Sequence, residues 1–362
     1  MRPTDHVSAV LSHYYMPRAP EKVQYLGGAG GFSGARIWKV AADGKSFCLR
    51  QWPVGHPTIE RLQWMHRVLQ QAARAGLGFL PLPLPTRDGQ TCIRKSGHLW
   101  ELTPWMPGNA DYLQAPSVEK LQAALKCLAQ FHVAVAAFDG RSPETGRSDG
   151  FALRASQLRR YLQGGLVELQ RQLHYETWPE VAEIGHQLIE QVNDLGPRFL
   201  PELSLMSHQR FPLQICIKDI WHDHILFDGQ RVGGIVDFGA MNIDTVASDL
   251  ARLLGSLVGD STVVPTTFNA DSGIDGGTGG DGESTDSWQL GLAAYHCVRP
   301  LSDGERRAVQ VWDRANVLLS GLQWLSWVFI DGREFENRPA IVSRCRDNLA
   351  RLIALSGASP TS

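Results

Sequence analysis

The sequence predicts an α+β fold in two lobes, a small β-rich N-lobe followed by a larger helical C-lobe. Three observations carry that reading. Short strand-like runs occupy roughly the first 100 residues, long apolar runs with helical spacing fill the rest, and one β-like island, residues 213–238, interrupts the helices. With 362 residues, 43% of them hydrophobic, the chain can bury the cores of two lobes rather than remain disordered.

In chain order, Val23 to Leu26 reads as a strand leading into a glycine-rich turn, and Ala35 to Val40 alternates like a second strand. Asp43-Gly44 is a hairpin signal, with Ser46 to Arg50 as the returning strand. Pro57 and Thr58 open a helix whose apolar positions Ile59, Leu62, Val68, Leu69 and Ala72 keep helical spacing until Gly76. Two more strands follow, Thr91 to Arg94 and His98 to Thr103, before Pro104 to Gly108 breaks the pattern. The N-lobe is therefore placed at residues 1–106 and the C-lobe at 107–357. Ser117 with Glu119 suits a helix start, and Leu121 to Phe138 continues as a long apolar helix. Residues 151–200 hold two further helical stretches, and after the β-like island helices resume at Ala247. Residues 260–287 are dominated by Ser, Thr, Gly and Asp, and are expected to form a flexible insertion. That segment includes Gly276-Gly277-Thr278-Gly279-Gly280-Asp281, one copy of a calcium-repeat pattern that needs many copies to build a roll. Ser12, His13, Tyr14 and Tyr15 carry no recognisable constellation.

A formal charge of −2 lacks the basic excess of a nucleic-acid binder, so no nucleic-acid partner is expected. No apolar core of a signal peptide follows Met1 to His6. The longest apolar stretch, Val317 to Ile330, is interrupted by Ser320, Gly321, Gln323 and Ser326, and falls short of the ~20 residues of a spanning helix. It reads as a buried helix, and no membrane partner is expected. Six singly scattered cysteines, without a C-x-x-C pair, fit reduced thiols and a cytoplasmic location. The eleven tryptophans sit mostly at apolar positions suited to core packing; Trp221 is the exception, a candidate wall for substrate. The oligomeric state is left open.

The chemistry concentrates in Lys218-Asp219-Ile220-Trp221-His222-Asp223-His224, followed by Ile225 to Phe227, an Asp228-Gly229 turn and then Asp237-Phe238-Gly239. Pairing Ile225–Phe227 with Val232–Val236 around the turn brings His224 and Asp237 together at one end of the ribbon, beside the loop that carries Asp219. Phosphoryl transfer needs such a set: a carboxylate to take the proton of an attacking hydroxyl, and separate ligands for metal on the nucleotide phosphates. In the kinase signature the base Asp is followed five residues later by an Asn ligand, and a D-F-G Asp follows a hairpin. Here His224 stands five residues after Asp219, and Asp237-Phe238-Gly239 follows the hairpin.

With these residues the chain resembles the aminoglycoside phosphotransferase and choline kinase family, whose hallmark is H-G-D-x-x-x-x-N, a hairpin, an Asp in the D-F-G position and then D-L-A. Asp249-Leu250-Ala251 stands at that last element, and Gln130-Phe131-His132 is similar to the end of the family's first long C-lobe helix. The loop Gly27 to Gly34 and Leu49-Arg50 resemble its N-lobe, and the likeness runs from about residue 23 to 330 outside the insertion. The resemblance implies a protein-kinase-like fold and transfer of the γ-phosphoryl group of ATP, or GTP, to a hydroxyl of an amino-alcohol, aminoglycoside-like or sugar-like acceptor. It implies Asp219 as base, and Asp237 and His224 as ligands of Mg²⁺, with Mn²⁺ the alternative. Gly28, Gly30, Gly31, Ser33 and Arg50 would cradle the phosphates. Glu60 would pair with Arg50 as a helix Glu pairs with Lys in kinases, or stand solvated at the helix start. Glu101 to Met106, with Glu101 and Thr103 in front, would form the hinge whose backbone meets adenine.

The sequence also departs from that pattern. Ile217-Lys218 replaces His-Gly before the catalytic Asp, His224 replaces Asn, and Arg50 stands where protein kinases place Lys. Imidazole is a softer ligand than an amide oxygen. These changes motivate a rival reading, a degenerate kinase fold that binds nucleotide or metabolite without turnover. A protein kinase is disfavoured, because Asp249-Leu250-Ala251 follows Gly239 after ten residues and leaves no room for an activation segment. Asp249 is expected to be structural, and either His222 or Asp223 to face solvent.

Overall fold

The computed structural model describes residues 3–15, 20–27, 34–140, 142–173, 178–258, 287–335 and 337–357. The expected insertion lies outside the described residues except for Ser287, as does its calcium-type motif. The chain folds as two compact units, Met1–Ser142 with Ile217–Asn242, and Pro143–Cys216 with Ile243–Ser362.

In the first unit an antiparallel sheet is built from β1 (Lys22–Tyr25), β2 (Arg36–Ala42), β3 (Lys45–Gln51), β4 (Ile93–Lys95) and β5 (His98–Pro104), in the order β1-β2-β3-β5-β4. Asp43 and Gly44 both take positive φ, 52° and 69°, the backbone a tight two-residue hairpin requires. The first helix, α1 (Pro3–Leu11), escapes the sequence reading. It places Val7, Val10 and Leu11, with Tyr14 just beyond, in one buried cluster with Trp38, Val40, Leu49, Trp100 and Leu102. Helix α2 (Ile59–Arg74) begins where Thr58 Oγ1 accepts from the Arg61 amide at 3.2 Å, and it buries Leu62, Met65, His66, Val68, Leu69 and Ala72. Helix α3 (Val118–Ala134) is capped by Ser117 and stops short of Phe138. The Gln71 side-chain amide donates to the carbonyls of Ala134 and Ala137, satisfying groups the helix would otherwise have used. The sequence break at Pro104–Gly108 falls inside this unit.

The second unit is mainly helical: α4 (Asp149–Arg160), α5 (Leu166–Gln172), α6 (Pro179–His208), α7 (Ala247–Val258), α8 (Ser287–His296), α9 (Asp303–Leu325) and α10 (Arg338–Gly357). A short sheet runs in the order β10 (Asn242–Asp244), β7 (Arg210–Cys216), β6 (Glu144–Arg147). The buried Asp244 carboxylate accepts from Ser148 Oγ at 2.5 Å, Thr245 N at 2.8 Å and Gly150 N at 3.2 Å, which fixes the entry to α4. A second buried acid, Asp313 on α9, takes both of its oxygens to Arg351 Nη2 on α10, at 2.7 and 2.9 Å. The apolar stretch after Val317 is buried helix, continued by a π-helical turn over Ser326–Ile330. Among the described residues no helix is long and apolar enough to cross a membrane. All six cysteines are free thiols.

Candidate active site

The hairpin of β8 (Ile225–Asp228) and β9 (Arg231–Ile235), in the first unit, positions the candidate site residues His224 and Asp237. Ile225 pairs with Ile235 and Asp228 with Arg231, with a bulge between Leu226 and Phe227. Segment 106–109 runs along the hairpin: Asn109 and Phe227 exchange backbone hydrogen bonds at 2.8 and 2.9 Å. The approach is close enough to demand glycine. A Cβ on Gly234 would sit 2.5 Å from Met106 Cβ, and one on Gly108, where φ is +94°, would lie 2.6 Å from the Phe227 carbonyl.

At the open end of this ribbon Val236 N donates to the His224 carbonyl at 2.9 Å, so the residues flanking the two strands meet as the register requires. His224 closes a short 3₁₀ turn, His222–His224, and its Nδ1 lies 2.8 Å from the Asp219 carbonyl oxygen. A carbonyl only accepts, so Nδ1 carries a proton, and in the neutral tautomer Nε2 is left as the electron-pair donor. That Nε2 lies 3.8 Å from Asp237 Oδ2. Two electron-pair donors facing across this gap, with the other ring nitrogen anchored to backbone, fit the donor set of a divalent cation. Asp219 is half-buried on the loop between Cys216 and the 3₁₀ turn. His222 Nε2 lies 3.1 Å from Asp223 Oδ1, and it is Asp223 that faces solvent. The Trp221 ring is tilted against that of His222, with centroids 5.1 Å apart.

Two residues here hold left-handed backbone without being glycine, Lys218 at φ 70° and Asp237 at φ 64°. Lys218 takes this backbone at the position where the resemblance places Gly, a residue that adopts it without strain. The second oxygen of Asp237 meets Arg50, whose Nη1 lies 3.5 Å from Oδ1. Arg50 also lies over the Trp52 ring, 4.9 Å from its centroid, and its Nε is 3.8 Å from Glu101 Oε1. Burial pushes the guanidinium pKa down, but the facing Asp237 and Glu101 carboxylates outweigh that and hold it above the ordinary value.

Glu60 does not pair with Arg50. It is exposed at the start of α2, where its own backbone amide and Thr58 hold its carboxyl below the ordinary value. The carboxylates beside Arg50 are Asp237 and Glu101. Glu101, expected in the hinge, turns its side chain into the sheet: Oε1 accepts from Trp52 Nε1 at 3.1 Å and Oε2 lies 2.6 Å from His66 Nε2. The signal for it was a lone acid between Trp100 and Leu102 on an otherwise apolar strand; His66 gave no comparable sign. Thr103 stands opposite Cys48 across β3 and β5. Gly28, Gly30, Gly31 and Ser33 lie outside the described residues, although the base of their loop is described: Leu26 N donates to Ile37 O, and Ile37 N to Gly27 O, both at 2.9 Å. In the second unit Asp249 is buried in the first turn of α7, with Ser248 Oγ 3.4 Å from its Oδ1.

Residues 26–282, well over half of the chain, match the model of the phosphotransferase enzyme family. The chain belongs to that family. Among curated relatives, a homoserine kinase of Rhizobium rhizogenes (strain K84) is 26% identical over 251 residues, 69% of this chain and 64% of that protein. The chain thus spans just under two thirds of the length of such relatives. Among solved structures, a spectinomycin phosphotransferase in complex with ADP and spectinomycin superposes with a TM-score of 0.64, at 11% identity and 98% coverage of both chains. An amicoumacin kinase in complex with AMP-PNP and Ca²⁺ superposes with a TM-score of 0.61, at 13% identity, covering 97% of this chain and 94% of that one. At such identities the likeness is one of fold: the chain has the kinase-like α+β architecture, with an antiparallel N-terminal sheet and helical C-terminal region.

Proposed function

We propose that this phosphotransferase moves the γ-phosphoryl group of ATP, or GTP, to a hydroxyl of a small molecule carrying amino or further hydroxyl groups. The observation that carries the reading is His224, anchored to the Asp219 carbonyl and facing the Asp237 carboxylate. Asp219 takes the proton of the acceptor hydroxyl as the new P–O bond forms, and the former β–γ bridging oxygen leaves with the nucleoside diphosphate. General-base assistance of this kind contributes about 10²–10⁴ in rate. Asp237 and His224 would hold Mg²⁺ or Mn²⁺, which when bound neutralises charge on the phosphate oxygens. Arg50, with the loop containing Gly28, Gly30, Gly31 and Ser33, holds the phosphates. The backbone of the hinge from Glu101 through Thr103 to Met106 meets the base.

Homoserine, an amino acid with a primary hydroxyl, heads the acceptors to test, because the curated relatives are homoserine kinases. The names of the structural neighbours add spectinomycin and amicoumacin to the acceptors worth testing. The experiment is a screen of L-homoserine, small amino-alcohols, aminoglycosides and sugars with ATP or GTP and either cation, reading nucleoside diphosphate release. The expected result is that one class accelerates release above the acceptor-free rate and yields a phosphate monoester. Nucleotide binding without release, for every acceptor and either cation, would return the protein to the reading of a kinase fold that binds without turnover.

A further inference from the structure

Arg50 needs a partner that keeps its guanidinium in place, and the helix-start carboxylate that the sequence suggests for this role is turned to solvent. The sheet supplies another. Arg50 and Glu101 stand directly opposite each other on β3 and β5, so their side chains leave the same face. Glu101 is itself held at both oxygens, by Trp52 Nε1 at 3.1 Å on Oε1 and by His66 Nε2 at 2.6 Å on Oε2. His66 is buried on α2, and its other nitrogen lies 2.7 Å from Thr91 Oγ1, which fixes the ring from behind. Trp52 completes the frame, because the Arg50 guanidinium lies over its ring. Gly239 of the Asp-Phe-Gly motif also packs on that ring, so closely that an added Cβ would sit 3.0 Å from it.

We propose that Glu101, clamped by His66 and Trp52, is the positioning residue for Arg50, and that α2 is tied to the phosphate-binding arginine through an imidazole rather than through a helix carboxylate. The functional side of this rests on the reading of Arg50 as a phosphate ligand. Asp237 is poorly suited to hold Arg50 by itself. It accepts from Arg50 Nη1 at 3.5 Å, closer than Glu101 at 3.8 Å from Nε, but its side chain is 35% exposed and it faces the proposed metal position, where a bound cation would compete for its charge. Glu101 is buried and hydrogen-bonded on both oxygens by Trp52 and His66, so the sheet and α2, rather than cation or nucleotide, fix its own place.

The test uses the full chain labelled with ¹⁵N-arginine. The Arg50 Nε–H resonance is assigned by its loss in Arg50→Lys, and its exchange protection is followed without nucleotide; calorimetry then gives the affinity for AMP-PNP with Mg²⁺. Glu101→Gln and His66→Ala are expected to broaden or lose that resonance. His66→Gln, whose amide can again donate to Glu101, is expected to restore it, and Glu60→Gln to leave it unchanged. Affinity for the nucleotide should fall about tenfold in Glu101→Gln, which removes a buried charge facing the guanidinium at 3.8 Å, and stay unchanged in Glu60→Gln. If Glu101→Gln does not melt cooperatively, the two His66 variants decide. A wild-type resonance and affinity in Glu101→Gln, or an equal loss in Glu60→Gln, overturns the proposal. Wild-type protein that binds no nucleotide would refute the phosphotransfer reading, while the resonance still decides whether Glu101 fixes Arg50.

Discussion

Replacing His224 by Asn separates a metal ligand from a packing residue. The imidazole contributes a 2.8 Å hydrogen bond from Nδ1 to the Asp219 carbonyl and an Nε2 that faces Asp237 across 3.8 Å. The shorter Asn side chain gives up the first, at a cost of about 1 kcal/mol for one partly buried hydrogen bond. In a chain of 362 residues that is a fall of about 2 °C in Tm or less. At the metal the change is of another kind, because an amide oxygen replaces a softer nitrogen. Mg²⁺ gains more from oxygen than Mn²⁺ does. The ratio of activity with Mg²⁺ to activity with Mn²⁺ is expected to rise on the order of tenfold in His224→Asn, equivalent to about 1.4 kcal/mol of differential stabilisation. Cation titrations of initial rate at fixed nucleotide measure it, and the cation dependence of AMP-PNP affinity gives the same ratio without an acceptor. A ratio unchanged within about twofold, alongside the expected small fall in Tm, would make His224 a packing residue and refute the argument.

Asp219→Asn is expected to lower kcat at least about 100-fold while leaving the affinity for nucleotide with Mg²⁺ intact, since it removes the base and no phosphate ligand; a matching loss of affinity would place Asp219 elsewhere. Gly234→Ala puts a methyl 2.5 Å from Met106 Cβ. It should destabilise the protein by about 1–3 kcal/mol in chemical denaturation, a loss absent if segment 106–109 simply moves aside. Burial pushes the Glu101 carboxyl up, but the hydrogen bond and charge of His66, the Arg50 charge and the Trp52 hydrogen bond together hold it below the ordinary value. A depressed carboxyl adds stability above its unfolded pKa of about 4.3, and that stability is lost as pH falls through the lower folded value. Glu101→Gln should therefore be less stable than wild type at neutral pH and lose less on acidification below about pH 4.5, whereas an unchanged acid slope would show that the group is not depressed.

The parts of the fold most legible in the sequence were those whose local chemistry and tertiary role agree. Thr58 and Ser117 begin helices as capping residues should, Asp43-Gly44 turns a hairpin, and strand pairing around Asp228-Gly229 brings His224 to Asp237. The N-terminal helix was not legible: Val7, Val10, Leu11 and Tyr14 keep the i, i+3, i+4, i+7 spacing of one buried face, but over only nine helical residues and beside a mixed run from Ser12 to Tyr15. The true partners of Arg50 were harder to read. Glu101 lies far from it along the chain, and only the register of β3 on β5 makes the two neighbours. His66 reads as one more residue on an amphipathic helix until the burial of α2 aims it at that carboxylate. Lys218 is instructive in a different way: its left-handed backbone explains why Gly belongs at that position, a constraint no side-chain pattern reveals.

The central claim, that Asp237 helps to hold a metal–nucleotide complex, is tested most directly by thermal unfolding of wild type and Asp237→Asn with ATP or GTP, with and without Mg²⁺ or Mn²⁺. Asn tolerates the left-handed backbone at this position, so the variant removes the charge without imposing new strain. Ligand at about 100 times its dissociation constant adds about 2.7 kcal/mol, which raises Tm by several degrees. The expected result is a shift in wild type that needs the cation and disappears in Asp237→Asn. An equal shift in the variant, or none with any nucleotide in a protein that melts cooperatively, would contradict the claim.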